Sequence, residues 1–151
     1  MYMLTIDELV ANSGNYLLIA LVFLVLSNWL KYRRTRLLLT SLVCAGVALV
    51  LGMVIKNLFY VPRPYIVSGT TPLIPYLLDG SFPSLHTAIA FGLSLPVFLR
   101  ERKFGFILVF LSLLTAFSRI IAGVHTLTDV LGGFVISLLI SLFSRIDSCH
   151  S

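Results

Sequence analysis

The sequence predicts an all-α membrane protein, a polytopic bundle of about five transmembrane helices that forms one domain over residues 1–151. Hydrophobic residues make up 58% of the chain and charged residues only 11%, whereas soluble domains contain about 25% charged residues. The apolar residues are also gathered in five stretches that approach the roughly 20 residues needed to cross a bilayer as a helix. A length of 151 residues fits a single domain.

The five predicted spans are joined by three short connections and one long one. They cover residues 14–30, 37–55, 82–99, 104–121 and 127–143. The first thirteen residues contain too few apolar positions to span, so we expect them to lie as an amphipathic segment on the membrane surface. Asp7 and Glu8 stand where a cleavable signal would carry basic residues, and the first span is therefore expected to be retained.

The basic residues predict the orientation. The sequence KYRRTR at 31–36 joins the first two spans, and RERK at 100–103 joins the third and fourth. Both loops must lie on one side, and positively charged loops stay in the cytoplasm. The net charge of +5 is thus expected to reflect topology and not nucleic-acid binding. The sequence predicts a multi-pass protein of the cell membrane; it leaves its oligomeric state open.

Ionisable residues outside the two basic loops and the termini are few, and the predicted topology places all of them near the outer surface. They are Lys56, Arg63, Asp79, His86, Arg119, His125 and Asp129. Because a charge at the edge of a span is costly, each is a candidate for function. Asp79 fits no motif and is interpreted as a loop residue, as is His150 in the tail.

Three cations in this set, with few acids nearby, predict an anion site. Lys56, Arg63 and Arg119 would suit a phosphoryl group, which the planar guanidinium binds well. Ser84 would add a hydroxyl at the start of the third span, where free N–H groups of a helix also favour an anion.

Two histidines complete the candidate chemistry. His125 and Asp129 are four residues apart, so a helix beginning near His125 would place the carboxylate against the imidazole and make it a better nucleophile. His86 lies in another element and could protonate a leaving group. The six acids of the chain are scattered, which favours a mechanism with no metal and no other cofactor.

Three segments, KNLFYVPRP, PSLH and SRIIAGVHTLTD, resemble in order and spacing the signature of the type 2 phosphatidic acid phosphatases. These enzymes are the membrane branch of a superfamily shared with vanadium haloperoxidases. The matching positions run from Lys56 to Asp129 and are Lys56, Arg63 and Pro64; Pro83, Ser84 and His86; and Ser118, Arg119, His125 and Asp129. Leu85 takes the place of the family's glycine, and members of the family usually have six spans where this sequence predicts five.

The resemblance implies a role for each matching residue. His125 would form a phosphohistidine, Asp129 would orient it, and His86 would be the general acid. The phosphoryl oxygens would be bound by four further residues, Lys56, Arg63, Ser84 and Arg119. The expected substrate is a lipid phosphate or pyrophosphate at the extracytoplasmic face, with undecaprenyl pyrophosphate favoured over phosphatidylglycerophosphate or phosphatidic acid.

Each residue also has a structural interpretation. Ser84 could cap a helix, and Thr126 with Asp129 could form a capping box. Lys56 could reach out to water from a helix end, Arg63 could be a solvated loop charge, and either histidine could be structural. At the level of the whole protein, an anion channel or transporter and a non-catalytic lipid-binding protein are the alternatives. A transporter would place charges at mid-membrane, where spans one, three and five carry none.

Overall fold

The computed structural model describes residues 6–71 and 79–147, and in this part of the chain every regular element is a helix. The six helices are α1 (Ile6–Tyr32), α2 (Thr35–Leu58), α3 (Pro64–Ser68), α4 (Leu85–Arg100), α5 (Arg102–Ile121) and α6 (Leu127–Asp147). The short α3 interrupts the long connection between α2 and α4. The predicted all-α polytopic bundle is confirmed.

Four of the described helices are long and apolar enough to cross a membrane, namely α2, α5 and the major parts of α1 and α6. The remaining apolar helix, α4, has only 16 residues, about 24 Å at 1.5 Å per residue, slightly less than the bilayer core. The five predicted spans therefore correspond to four full-length helices and one shorter helix.

Two predicted boundaries differ from the structure. Helix α1 already includes residues 6–13 and continues without a break to Tyr32, so these residues extend the first helix; residues 1–5 lie outside the described part. Helix α4 begins at Leu85 and not at residue 82. The backbone N–H groups just before it bond elsewhere, Ser81 to Val61 and Ser84 to Asp129, so this stretch does not join the helix.

Helix α4 forms the centre of the bundle and contacts α1, α2, α5 and α6. Ten of its 16 residues are buried, most of them apolar. Serine hydroxyls add hydrogen bonds between helices: Ser112 of α5 contacts Ser94 at 2.9 Å, and Ser137 of α6 donates to the carbonyl of Ala88 at 2.6 Å. A helix enclosed by its neighbours is well suited to hold side chains at its first turn in fixed positions.

The two basic loops lie together at one end of the bundle, as predicted. Arg34, between α1 and α2, forms an ion pair with Glu101, between α4 and α5. The opposite end contains the C-terminus of α2, the N-terminus of α4 and the connection from α5 to α6. The candidate site residues of the sequence therefore collect at the end away from the basic loops.

Candidate active site

His125 and Asp129 lie side by side where α5 passes into α6. His125 Nδ1 is 3.6 Å from Asp129 Oδ2, and both side chains are almost completely buried. The two groups are in close contact but too far apart for a hydrogen bond, and Nδ1 has no hydrogen-bond partner among the described residues. The carboxylate thus faces one imidazole nitrogen and leaves Nε2 as the nitrogen available for chemistry.

Asp129 is held in place by its own hydrogen bonds. Its Oδ2 accepts from the backbone N–H of Thr126 at 2.7 Å and from the hydroxyl of Ser81, while its N–H donates to Thr126 Oγ1 at 3.3 Å. The bonds with Thr126 form a capping box at the start of α6. The structural interpretation of Asp129 is therefore compatible with the functional one, because capping the helix also fixes the acid beside His125.

Lys56 and Arg63 meet at Asp79, a residue that the sequence left without a role. Lys56 Nζ lies 3.0 Å from Asp79 Oδ2, and Arg63 Nη2 lies 2.7 Å from Oδ1. Both cations are buried, at 7% and 2% exposed, whereas the Asp79 side chain is 48% exposed. The expectation of cations with few acids nearby was therefore wrong for these two, as were the interpretations of Lys56 as reaching water and Arg63 as solvated.

Arg63 also ties the long connection to the histidine loop. Its Nη1 donates to the carbonyl of Val124, the residue before His125, at 3.1 Å, and its Nε donates to the backbone carbonyl of Asp79 at 3.2 Å. One guanidinium thus binds two separate segments of the chain. This arrangement uses several of the donors of Arg63 for structure and directs the cation at the loop that carries His125.

Arg119 and Ser84 occupy buried positions at the same end. Arg119 is 3% exposed, and its Nε has no hydrogen-bond partner among the described residues. Ser84 is completely buried at the N-cap of α4, but its hydroxyl accepts from Thr87 Oγ1 at 3.1 Å and does not cap the helix. A buried guanidinium with a free donor is costly, and a bound anion would satisfy it.

His86 stands on the first turn of α4 and makes a hydrogen bond that the sequence did not reveal. Its Nε2 lies 2.7 Å from Oδ1 of Asn15 on α1. The backbone N–H of Ser84, two residues before His86, donates to the carbonyl of Asp129 at 3.0 Å and so joins the start of α4 to the start of α6. All the residues that the sequence selected for the site therefore collect at one end of the bundle.

Two groups of the site that lie outside the helices, His125 and Asp79, have shifted pKa values. Burial lowers the pKa of His125 below its ordinary value of 6.5, and this effect outweighs the opposing influence of Asp129. Partial burial would raise the pKa of Asp79, but the hydrogen bonds from Arg63 and Lys56 outweigh it and keep the pKa low. At neutral pH the site therefore contains a neutral His125, which retains its lone pair, and an ionised Asp79.

Three contributors to the site were missed in the sequence: Asn15, Asp79 and Ser81. Asp79 and Ser81 come shortly before the PSLH segment, so their closeness to it was a usable signal. Asn15 is one of two asparagines in the first predicted span, and nothing in the pattern connects it to His86. His150 lies outside the described residues.

Comparisons with known proteins identify the family of the chain. The model of the PAP2 superfamily matches residues 37–147. The chain belongs to the PAP2 superfamily. It is a membrane-embedded phosphatase of that family, as the resemblance of the three segments predicted.

Individual relatives share this assignment. The undecaprenyl-diphosphatase BcrC of Bacillus subtilis is 36% identical over 145 residues, which are 93% of this chain and 74% of the relative. Among solved structures, a PAP2 type phosphatidylglycerolphosphate phosphatase from Bacillus subtilis has a TM-score of 0.72 at 25% identity, covering 97% of this chain and 77% of that one. Aquifex aeolicus LpxE has a TM-score of 0.70 at 28% identity, covering 92% and 82%. This PAP2 chain thus has the fold of membrane lipid phosphatases.

Proposed function

We propose that the protein hydrolyses a polyprenyl pyrophosphate, such as undecaprenyl pyrophosphate, at the extracytoplasmic face of the plasma membrane. The observation that carries this proposal is the buried His125–Asp129 pair at the end of the bundle that also holds the buried cations. The name of the Bacillus subtilis relative supports the substrate. The basic loops at the opposite end support the outward orientation of the site.

The proposed reaction has two steps. Nε2 of neutral His125 attacks the terminal phosphorus, the bond to the bridging oxygen breaks, and His86 gives a proton to that oxygen as the lipid monophosphate leaves. Water then attacks the phosphohistidine and passes a proton to His86, which releases orthophosphate and restores both imidazoles. Asp129 stabilises the charge that develops on His125 during the first step.

The cations stabilise the phosphoryl group during transfer. Arg119 offers its free Nε, and Lys56 and Arg63 offer donors that Asp79 otherwise occupies. The hydroxyl of Ser84 adds a further donor at the N-terminus of α4, where the helix dipole favours negative charge. Since no step uses a metal ion, we propose turnover that does not require one.

The test is phosphate release by the purified protein in detergent with EDTA present. We compare three proteins: the wild type, His125→Ala and the control Asn28→Ala, which changes α1 near the basic loops. Each is tested with undecaprenyl pyrophosphate, phosphatidylglycerophosphate and phosphatidic acid. We expect metal-independent turnover that His125→Ala abolishes, with undecaprenyl pyrophosphate preferred. Undiminished turnover by His125→Ala would overturn the mechanism, and no turnover of any substrate by the wild type would favour a lipid-binding or transport role.

A second substrate is supported by one of the solved structures. The PAP2 type phosphatidylglycerolphosphate phosphatase of Bacillus subtilis has a similar fold, and the same cations would bind the headgroup of such a monophosphate. The same substrate panel separates the two, because a higher kcat/KM for phosphatidylglycerophosphate would reverse the order that we propose.

The orientation has its own test in cells, in a background where Cys149 is replaced by serine and the buried Cys44 is kept. A cysteine introduced by Thr70→Cys, in the exposed connection after α3, is expected to react with a membrane-impermeant maleimide. The control Arg102→Cys, at the end with the basic loops, is expected to be protected. The reverse pattern would contradict the proposed topology.

A further inference from the structure

We infer that Asn15 of α1 is a positioning residue for His86. The inference rests on the proposed role of His86 as the general acid. Oδ1 of Asn15 lies 2.7 Å from Nε2 of His86. The match to the PAP2 family model begins only at residue 37. The first helix therefore lies outside the region that defines the family here, yet it contacts one of the two histidines of the site.

The position of Asn15 follows from close packing of α1 against α5. The preceding residue, Gly14, is buried, and a Cβ atom on it would lie 2.9 Å from Ser118 Oγ and 3.0 Å from Arg119 Cδ. A side chain at this position would require Ser118 or Arg119 to shift, so the glycine allows the close approach. The contact brings the outer end of α1 against the guanidinium-bearing turn of α5 and places the next side chain, Asn15, within reach of α4.

The hydrogen bond determines which imidazole nitrogen can react. An amide oxygen can only accept, so His86 Nε2 carries a proton that it donates to Asn15. When His86 is the charged acid, its second proton is on Nδ1, and that proton goes to the leaving oxygen in the first step. In the second step Nδ1 takes a proton from the attacking water. Asn15 keeps the Nε2 proton in place throughout, so that Nδ1 alone exchanges protons with the substrate.

The contribution of a general acid to the rate depends on how basic the leaving group is. A weakened general acid therefore slows some substrates more than others, whereas a structural defect would slow them all. Alkoxide from dodecyl phosphate is strongly basic and needs protonation as it leaves, whereas p-nitrophenolate leaves readily without it. We therefore compare kcat/KM for dodecyl phosphate and for p-nitrophenyl phosphate in detergent. The variants are Asn15→Ala, Asn15→Asp, His86→Ala and their combination, with Asn28→Ala as the matched control on the same helix.

For Asn15→Ala we expect kcat/KM to fall by about 10- to 100-fold on dodecyl phosphate and by less than about 3-fold on p-nitrophenyl phosphate. The first loss is a part of the rate enhancement that a general acid usually provides. His86→Ala should show the same selectivity with a larger loss, and adding Asn15→Ala to it should cost little more. Asn15→Asp keeps an acceptor and should restore activity on dodecyl phosphate. Its negative charge favours the imidazolium, so the basic limb of the pH profile for kcat should move to higher pH.

The outcomes separate this inference from the function it rests on. Suppose that His86→Ala lowers kcat/KM mainly for dodecyl phosphate. If Asn15→Ala then lowers kcat/KM for both substrates equally, or for neither, Asn15 has no positioning role. If His86→Ala itself lowers both substrates equally, His86 is not the general acid, and both the inference and that part of the proposed function fail. Failure of Asn15→Asp to restore activity would also contradict the hydrogen bond as the cause.

Discussion

Replacing Asp79 by asparagine removes the negative charge between Lys56 and Arg63 while nearly preserving the shape of the side chain. Both carboxylate oxygens of Asp79 are used, one by each cation. A phosphoryl group bound by the same cations would have to share them with this carboxylate. The structure therefore predicts that Asp79→Asn binds orthophosphate, the reaction product, more tightly than the wild type.

The size of the effect follows from Coulomb's law. A phosphoryl oxygen that shares the two cations would be separated from the carboxylate by two hydrogen bonds that meet at a cation. At about 3 Å each and an open angle, they place the two anions about 5 Å apart. Because the Asp79 side chain is 48% exposed, an effective dielectric constant of roughly 40–80 is appropriate, and two unit charges then repel by about 1–2 kcal/mol. Removing this repulsion corresponds to a gain in affinity of about 5- to 30-fold.

The assay is inhibition of p-nitrophenyl phosphate turnover by orthophosphate, in detergent and at constant ionic strength. We expect the inhibition constant of Asp79→Asn to fall by about tenfold, and the fall to be smaller at high salt because the charge is partly screened. The matched control is Glu101→Gln, which removes the acid paired with Arg34 at the opposite end of the bundle and should leave the inhibition constant unchanged.

One result would refute this reasoning. If Asp79→Asn unfolds at nearly the temperature of the wild type and yet shows an equal or higher inhibition constant for orthophosphate, Asp79 does not compete with phosphate. The carboxylate would then serve to orient Lys56 and Arg63, and its removal would weaken anion binding by releasing them.

Three further predictions follow from the same end of the bundle. Asp129→Asn keeps a side chain that can cap α6 but loses the charge beside His125, so kcat should fall by about 10⁴-fold with little change in the unfolding temperature. Because burial lowers the pKa of His125, the acidic limb of the pH profile for kcat/KM should lie below pH 6.5. The unfolded chain binds the His125 proton more readily than the folded protein does, so thermal stability should decrease as the pH falls below 6.5. Gly52→Ala would place a Cβ 2.6 Å from Cδ2 of Leu85, so it should cost about 1 kcal/mol in thermal unfolding, and Leu85→Ala should relieve that cost in the double variant.

The helices could be predicted from the sequence because membrane spans are determined by length and apolar composition, both of which are local properties. The boundaries at residues 14 and 82 were less accurate, since they depend on contacts between distant segments. Residues 6–13 are polar enough to end a span, but they continue α1. Residues 82–84 are apolar enough to begin one, but the N–H of Ser81 bonds to Val61 and that of Ser84 to Asp129.

The candidate site was predicted where motif spacing carried the information. His125 and Asp129 are separated by one helical turn, and this spacing alone predicted their contact. Asp79 could not be connected to its partners in that way, because it lies 23 residues after Lys56 and 16 after Arg63, across a connection without helical periodicity. Asn15 is 71 residues from His86, so only the packing of α1 against the bundle brings them together.

The departure of PSLH from the family's glycine is explained by the packing of α2 against α4. Leu85 directs its side chain at Gly52, where an added Cβ would lie 2.6 Å from Leu85 Cδ2. Gly52 is one helical turn before Lys56, so the leucine packs beneath the turn of α2 that carries this cation. A side chain at this position thus occupies the space between two helices, and the backbone N–H of residue 85 still lies in the first turn of α4, where it can face an anion. The substitution therefore changes how α2 is supported, and it leaves the backbone N–H groups of the first turn of α4 in place.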